Sequence, residues 1–149
     1  MSIITDEQAI ILSQRASFLT KKGFRYSERS EYILCYATNP LNSYEGIKIG
    51  IYTGRYMDEA DINIHFGEHN TSESVSWLAF FHDDKKGFEL HGMELLLYLL
   101  DYVEANFNFV TNIHSYADIN ERIREYNKTL PPRKFNPDTG EYELINVGT

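Results

Sequence analysis

The chain has 149 residues, with 14 Lys or Arg against 22 Asp or Glu, for a formal net charge of −8. That length sets a single domain large enough to bury its own core, and the charge disfavours nucleic acid and anionic lipid as partners. The one cysteine, Cys35, rules out an intrachain disulfide, and the densest apolar run, Met93 to Val103, is too short and too charged (Glu94, Asp101) to span a bilayer.

Thr5-Asp6-Glu7-Gln8 has the form of a capping box, with acids at the positive end of the helix it opens. Ala9, Leu12, Ala16 and Leu19 then recur at helical spacing, and Lys21, Lys22 and Gly23 close the segment. One helix is expected from Thr5 to Lys22. From Phe24 the period changes to two. Phe24 to Tyr26 predicts a short strand, Tyr32 to Ala37 a second, and Ile47 to Tyr52 a third, after a loop that begins at Asn39-Pro40. Asp61 to Phe66 has the cleanest alternation, with Ile62, Ile64 and Phe66 facing one way and Asp61, Asn63 and His65 the other. Ser74 to Phe81 is expected to form a fifth strand, with Val75, Trp77, Ala79 and Phe81 on one face.

Met93, Leu96, Leu97, Leu100, Val103 and Phe107 predict a buried helix. Ser115 to Asp118 resembles a second capping box, opening a short exposed helix with Ile119, Ile123 and Tyr126 on one face and Pro131-Pro132 at its end. The tail has a turn signal at Asp138-Thr139-Gly140. Phe135, Tyr142, Leu144 and Val147 are expected to pin residues 130–149 to the body as an extended tail or small hairpin. The order reads as one α+β domain over residues 1–149: an antiparallel meander of about five strands, with the N-terminal helix and the C-terminal helices packed on one face. The N-terminus has neither the basic region nor the apolar core of a signal peptide, so a cytoplasmic location is expected.

The charge is unevenly distributed. Between Tyr56 and Asp84 lie seven acids and no Lys or Arg: Asp58, Glu59, Asp61, Glu68, Glu73, Asp83 and Asp84. The rest of the chain is nearly balanced. Tyr56, Trp77, Phe80 and Phe81 share the acidic stretch. Acids steer and select a cationic protein partner, and aromatics anchor it. The expected contact residues are Tyr56, Asp58, Glu59, Asp61, His65, Glu68, Glu73, Trp77, Asp83 and Asp84. The plainer reading of the same stretch is a solvated acidic face that keeps the chain soluble.

No catalytic motif, phosphate loop or C-x-x-C is present, which favours a binding protein over an enzyme and implies no cofactor. His65, Glu68 and His69 match the H-x-x-E-H spacing of some zinc peptidases. There the motif lies on a helix, whereas His65 is in an alternating strand, so no metal site is expected. A metal-dependent hydrolase using His65, His69 or His82 with nearby carboxylates is the alternative. A self-assembling homodimer, joined through unpaired strand edges, is another.

Gly23-Phe24 after an amphipathic helix, an aromatic strand, and then Gly46-Ile47-Lys48-Ile49-Gly50-Ile51-Tyr52 and Asp61-Ile62-Asn63-Ile64-His65-Phe66 resemble small bacterial immunity proteins of polymorphic toxin systems. The resemblance covers roughly Thr5 to Phe81 and lies in the order of elements. It implies direct blocking of a toxin domain, frequently a basic nuclease, with the acids from Asp58 to Asp84 as contact residues. It supplies no catalytic residue.

Overall fold

A computed structural model describes residues 3–38, 46–53, 60–82, 89–129 and 133–144, with residues 133–135 and 141–144 by backbone alone. Helix α1 (Asp6–Arg15) opens on the expected capping box. Thr5 Oγ1 accepts from the Gln8 amide, and the Thr5 amide donates to Gln8 Oε1, both at 3.1 Å. The single helix expected to Lys22 is instead broken at Ala16-Ser17, and α2 (Phe18–Lys21) follows. The amides of Ser17, Leu19, Thr20, Lys22 and Gly23 bond three residues back, as in Leu19 to Ala16 and Thr20 to Ser17. This tighter winding brings Phe18 into the core beside Leu19, edge-on to Phe107 at 6.4 Å. Gly23 then turns the chain at φ +90°.

Five antiparallel strands follow as a meander, in the spatial order of the chain: β1 (Phe24–Arg29), β2 (Ile33–Thr38), β3 (Ile47–Tyr52), β4 (Asp61–Phe66) and β5 (Thr71–Ser74). Register aligns Leu34 with Ile51 and Ile62, and Tyr36 with Ile49 and Ile64. These residues form the buried face. The β3 and β4 ends are tied by the Gly67 amide donating to Gly46 O at 2.8 Å. A Cβ on Gly67 would itself lie 2.8 Å from that oxygen, so the approach requires glycine.

The strand expected over Ser74 to Phe81 is not formed, and β5 lies before it. Strand β5 ends at Ser74, and Val75–His82 is a helix, α3. The residues behind that expectation are apolar on both sides, because Leu78 and Phe80 alternate with Val75, Trp77, Ala79 and Phe81. A strand at the sheet edge would bury only one set. Helical winding instead gathers Val75, Leu78 and Ala79 on one buried face.

Helix α4 (Gly92–Ala105) buries Leu95, Leu96, Leu99, Leu100 and Val103, and with α3 packs on β4, while α1 packs on α4. After α5 (Phe107–Val110) comes a 3₁₀ turn, Ile113–Tyr116. The Tyr116 hydroxyl donates to Val110 O at 2.6 Å and holds that turn. Helix α6 (Ile119–Lys128) turns Ile119, Ile123 and Tyr126 inward, as their spacing implies. Its expected capping box is not formed. Ser115 lies inside the 3₁₀ turn, and Asp118 holds the cap position at φ +68° without a side-chain cap bond. The tail forms the hairpin β6 (Arg133–Asn136) and β7 (Glu141–Leu144), turning at Gly140. The contacts expected of Phe135, Tyr142, Leu144 and Val147 lie outside the described side chains. The fold is therefore an α+β antiparallel meander with helices on one face. No described helix is long and apolar enough to cross a membrane.

Candidate protein-binding site

Five of the ten expected contact residues (Tyr56, Asp58, Glu59, Asp83 and Asp84) lie outside the described residues. The other five occupy different surroundings. Glu68 is exposed in the 3₁₀ turn after β4. Glu73 aligns with Ile64 on the helix-covered side of the sheet, where partial burial raises its pKa and Thr71 Oγ1 donates to it at 3.4 Å. His65 is on the opposite side, between Lys48 and Ser72 in register, with Nδ1 2.9 Å from Ser72 Oγ.

Asp61 shares the side of His65 and Asn63, as alternation requires, and lies opposite Tyr52. It is nevertheless only 8% exposed. Its Oδ1 accepts from the amides of Ile62 at 2.7 Å and Ser76 at 3.0 Å, and its Oδ2 accepts from Ser74 Oγ at 2.5 Å. Ser74 Oγ in turn accepts from the Trp77 amide at 3.3 Å. Asp61 and Ser74 thus accept from two amides of the first turn of α3. Burial raises the Asp61 pKa against the opposing pull of these hydrogen bonds. Its carboxylate is part of the fold rather than of an accessible acidic surface.

The H-x-x-E-H residues are divided between β4 and the turn that follows it. His82 Nδ1 lies 2.7 Å from the Tyr102 hydroxyl, and its ring lies 4.3 Å from that of Phe109. Among the described residues, no group of three His, Cys, Asp or Glu side chains is placed to hold a metal ion.

Trp77 leads to an aromatic cluster between α3 and α6. On a helix, Trp77, Phe80 and Phe81 are spaced i, i+3 and i+4, so their rings meet. Trp77 stacks on Phe81 with centroids 5.6 Å apart and planes inclined by 20°. Tyr126 of α6 completes the cluster, edge-on to Phe80 at 5.0 Å and to Trp77 at 5.9 Å. Phe80 is buried, whereas Trp77, Phe81 and Tyr126 are half-buried. The Arg122 guanidinium lies 4.7 Å from the Phe81 ring centroid. A groove of about 720 Å³ lies beside Phe81 and Tyr126 and is also lined by Asp118, Glu121, Arg122 and Glu125. The cation held against this aromatic wall is the chain's own Arg122, with Trp77 stacked on the same Phe81 ring.

Sequence reasoning placed Trp77 and Phe81 together but missed Tyr126, Arg122 and the α6 acids. The available signal was the i, i+4 spacing of Trp77 and Phe81, masked by a strand-like reading of the same residues. Comparison with protein families, curated proteins and solved structures returned no match.

Proposed function

We propose that this chain is a non-enzymatic acidic binding protein of the immunity type, which neutralises a basic protein toxin by direct contact in the bacterial cytoplasm. The observation that carries this reading is the charge distribution. Seven acids and no Lys or Arg occupy residues 56–84, and the same stretch contains α3 with its half-buried Trp77 and Phe81. Asp61 in this stretch is enclosed and Glu68 exposed; the net charge of the stretch attracts a basic partner over distance, and its half-buried aromatics offer anchors at contact. The β1 edge carries Arg25, Glu28 and Arg29 and a register shift between Tyr26 and Glu28. Charges and bulges of this kind discourage strand addition, which supports a contact surface on the helical side.

The test is affinity capture. The immobilised chain is exposed to lysate of its native host at low and moderate salt, and the retained protein is identified by mass spectrometry. One basic protein held at moderate salt is the expected result. Recovery of nothing, or only of proteins lost at moderate salt, overturns the proposal.

A further inference from the structure

We infer that the face of the sheet away from the helices binds a small phosphate ester carried on a planar ring, of the mononucleotide class; the inference does not rest on the binding reading above. Register aligns Arg25 with Ala37, Ala37 with Lys48, Lys48 with His65 and His65 with Ser72, in one row across the five strands. The row lies opposite the side of the buried Tyr36, Ile49 and Ile64, and Arg25 and Lys48 are exposed. Neither forms an ion pair among the described residues. The row is therefore cationic in a chain of net charge −8. The carboxylates that share this face stand apart from Lys48 and His65. Asp61 is enclosed by its own hydrogen bonds, and Glu28 aligns with Cys35 at the β1 edge.

Gly50 supplies a second, independent observation. It sits within β3 between Cys35 and Asn63, in the row next to Lys48. Its φ is not positive, and a Cβ there would meet only Ile33 Cγ2 at 4.0 Å, an ordinary contact. Glycine weakens a strand interior, and neither conformation nor crowding among the described residues requires it here. It leaves a flat floor where a ligand can approach the backbone closely. Ile33 and Tyr52, aligned with each other, bound that floor on the side away from Lys48. Lys48 and Tyr52 are four residues apart along the strand, about 13 Å. That span takes an oxyanion at one end and a ring at the other. Lys48 and His65 meet the oxyanion from adjacent strands, about 5 Å apart. With Ser72 Oγ donating to His65 Nδ1 at 2.9 Å, Nε2–H is the donor left for a phosphate oxygen. The ring lies over Gly50 beside Tyr52. The net charge of the chain opposes a polyanion at long range, which favours a small ligand over a nucleic-acid strand.

The test is isothermal titration calorimetry of the full-length protein with adenosine monophosphate, adenosine and inorganic phosphate. The expected result is saturable binding of the monophosphate, about tenfold tighter than that of adenosine or of phosphate alone. Lys48→Ala, altered at an exposed position, should keep the wild-type unfolding temperature and lose about tenfold in affinity. Gly50→Val suits a strand and fills the floor, so it should unfold at no lower temperature than wild type and abolish binding. No saturable binding, phosphate alone bound as tightly as the monophosphate, or either folded variant binding as wild type does would overturn the assignment. A Gly50→Val protein that fails to fold would overturn it too, because the fold itself would then require the glycine. An oligoadenylate strand bound more tightly than the monomer would overturn the choice of a small ligand.

Discussion

Asp61 opens β4 and reaches across to the first turn of α3, whereas Asp118 stands at the start of α6, and the two helices meet in the aromatic cluster. The Asp61 carboxylate is enclosed, accepts three hydrogen bonds and satisfies the first turn of α3. Asp118 is exposed in the left-handed region, makes no cap bond and lines the groove beside α6. One residue type thus serves two ends. At Asp61 the acid is consumed by the fold, and at Asp118 it remains on the surface. A count of acids along a stretch is therefore not a map of surface charge, and the burial of each carboxylate decides what it can do for a partner.

The comparison is broken most severely at Asp61. Asp61→Ala leaves the Ile62 and Ser76 amides without their acceptor, and should cost about 2–3 kcal/mol in denaturant unfolding. A loss near zero would mean that the enclosed carboxylate does not hold the start of α3. Ser74→Ala removes the hydroxyl that links Asp61 to the Trp77 amide, and should cost about 1–2 kcal/mol in the same measurement.

Asp61→Asn sharpens the contrast through pH. Because burial raises the folded pKa of Asp61, the folded state holds its proton to higher pH than the unfolded state does. The stability that this group contributes is complete below the unfolded pKa and falls as pH rises through the folded one. Asn keeps an acceptor for the two amides and does not titrate. The stability of Asp61→Asn relative to wild type should therefore climb as pH rises from the ordinary carboxylate range. A difference constant with pH would contradict the assigned direction. The smallest effect is expected at Asp118, where Asn tolerates the same backbone conformation. Asp118→Asn should change stability by less than about 0.5 kcal/mol.

The same contrast shows what was legible in the sequence. Strands β3 and β4 were legible because Ile47 to Tyr52 and Asp61 to Phe66 alternate strictly, and α1 because Thr5 and Gln8 cap it reciprocally. Helix α3 was not, since Val75 to Phe81 is apolar at nearly every position and carries no period of its own. What selects a helix there is tertiary: the Asp61 carboxylate, thirteen residues before Ser74, closes on the first turn. Misreading α3 also hid the site, because Trp77 and Phe81 meet Tyr126 and Arg122 only when wound as a helix. The Ser115 to Asp118 signal failed for a local reason, as the 3₁₀ turn takes Ser115 and Asp118 adopts a positive φ.

The central claim is that the accessible acids bind a basic protein while Asp61 serves the fold. Association rates of the captured partner, measured across salt concentrations, test it directly. The comparison is between wild type, Asp61→Asn and Asp118→Asn/Glu121→Gln/Glu125→Gln. The account predicts rates that fall with salt equally for wild type and Asp61→Asn, and that are lower with a flatter salt dependence for the triple variant. An Asp61→Asn protein slowed as much as the triple variant, or a triple variant indistinguishable from wild type, would contradict it.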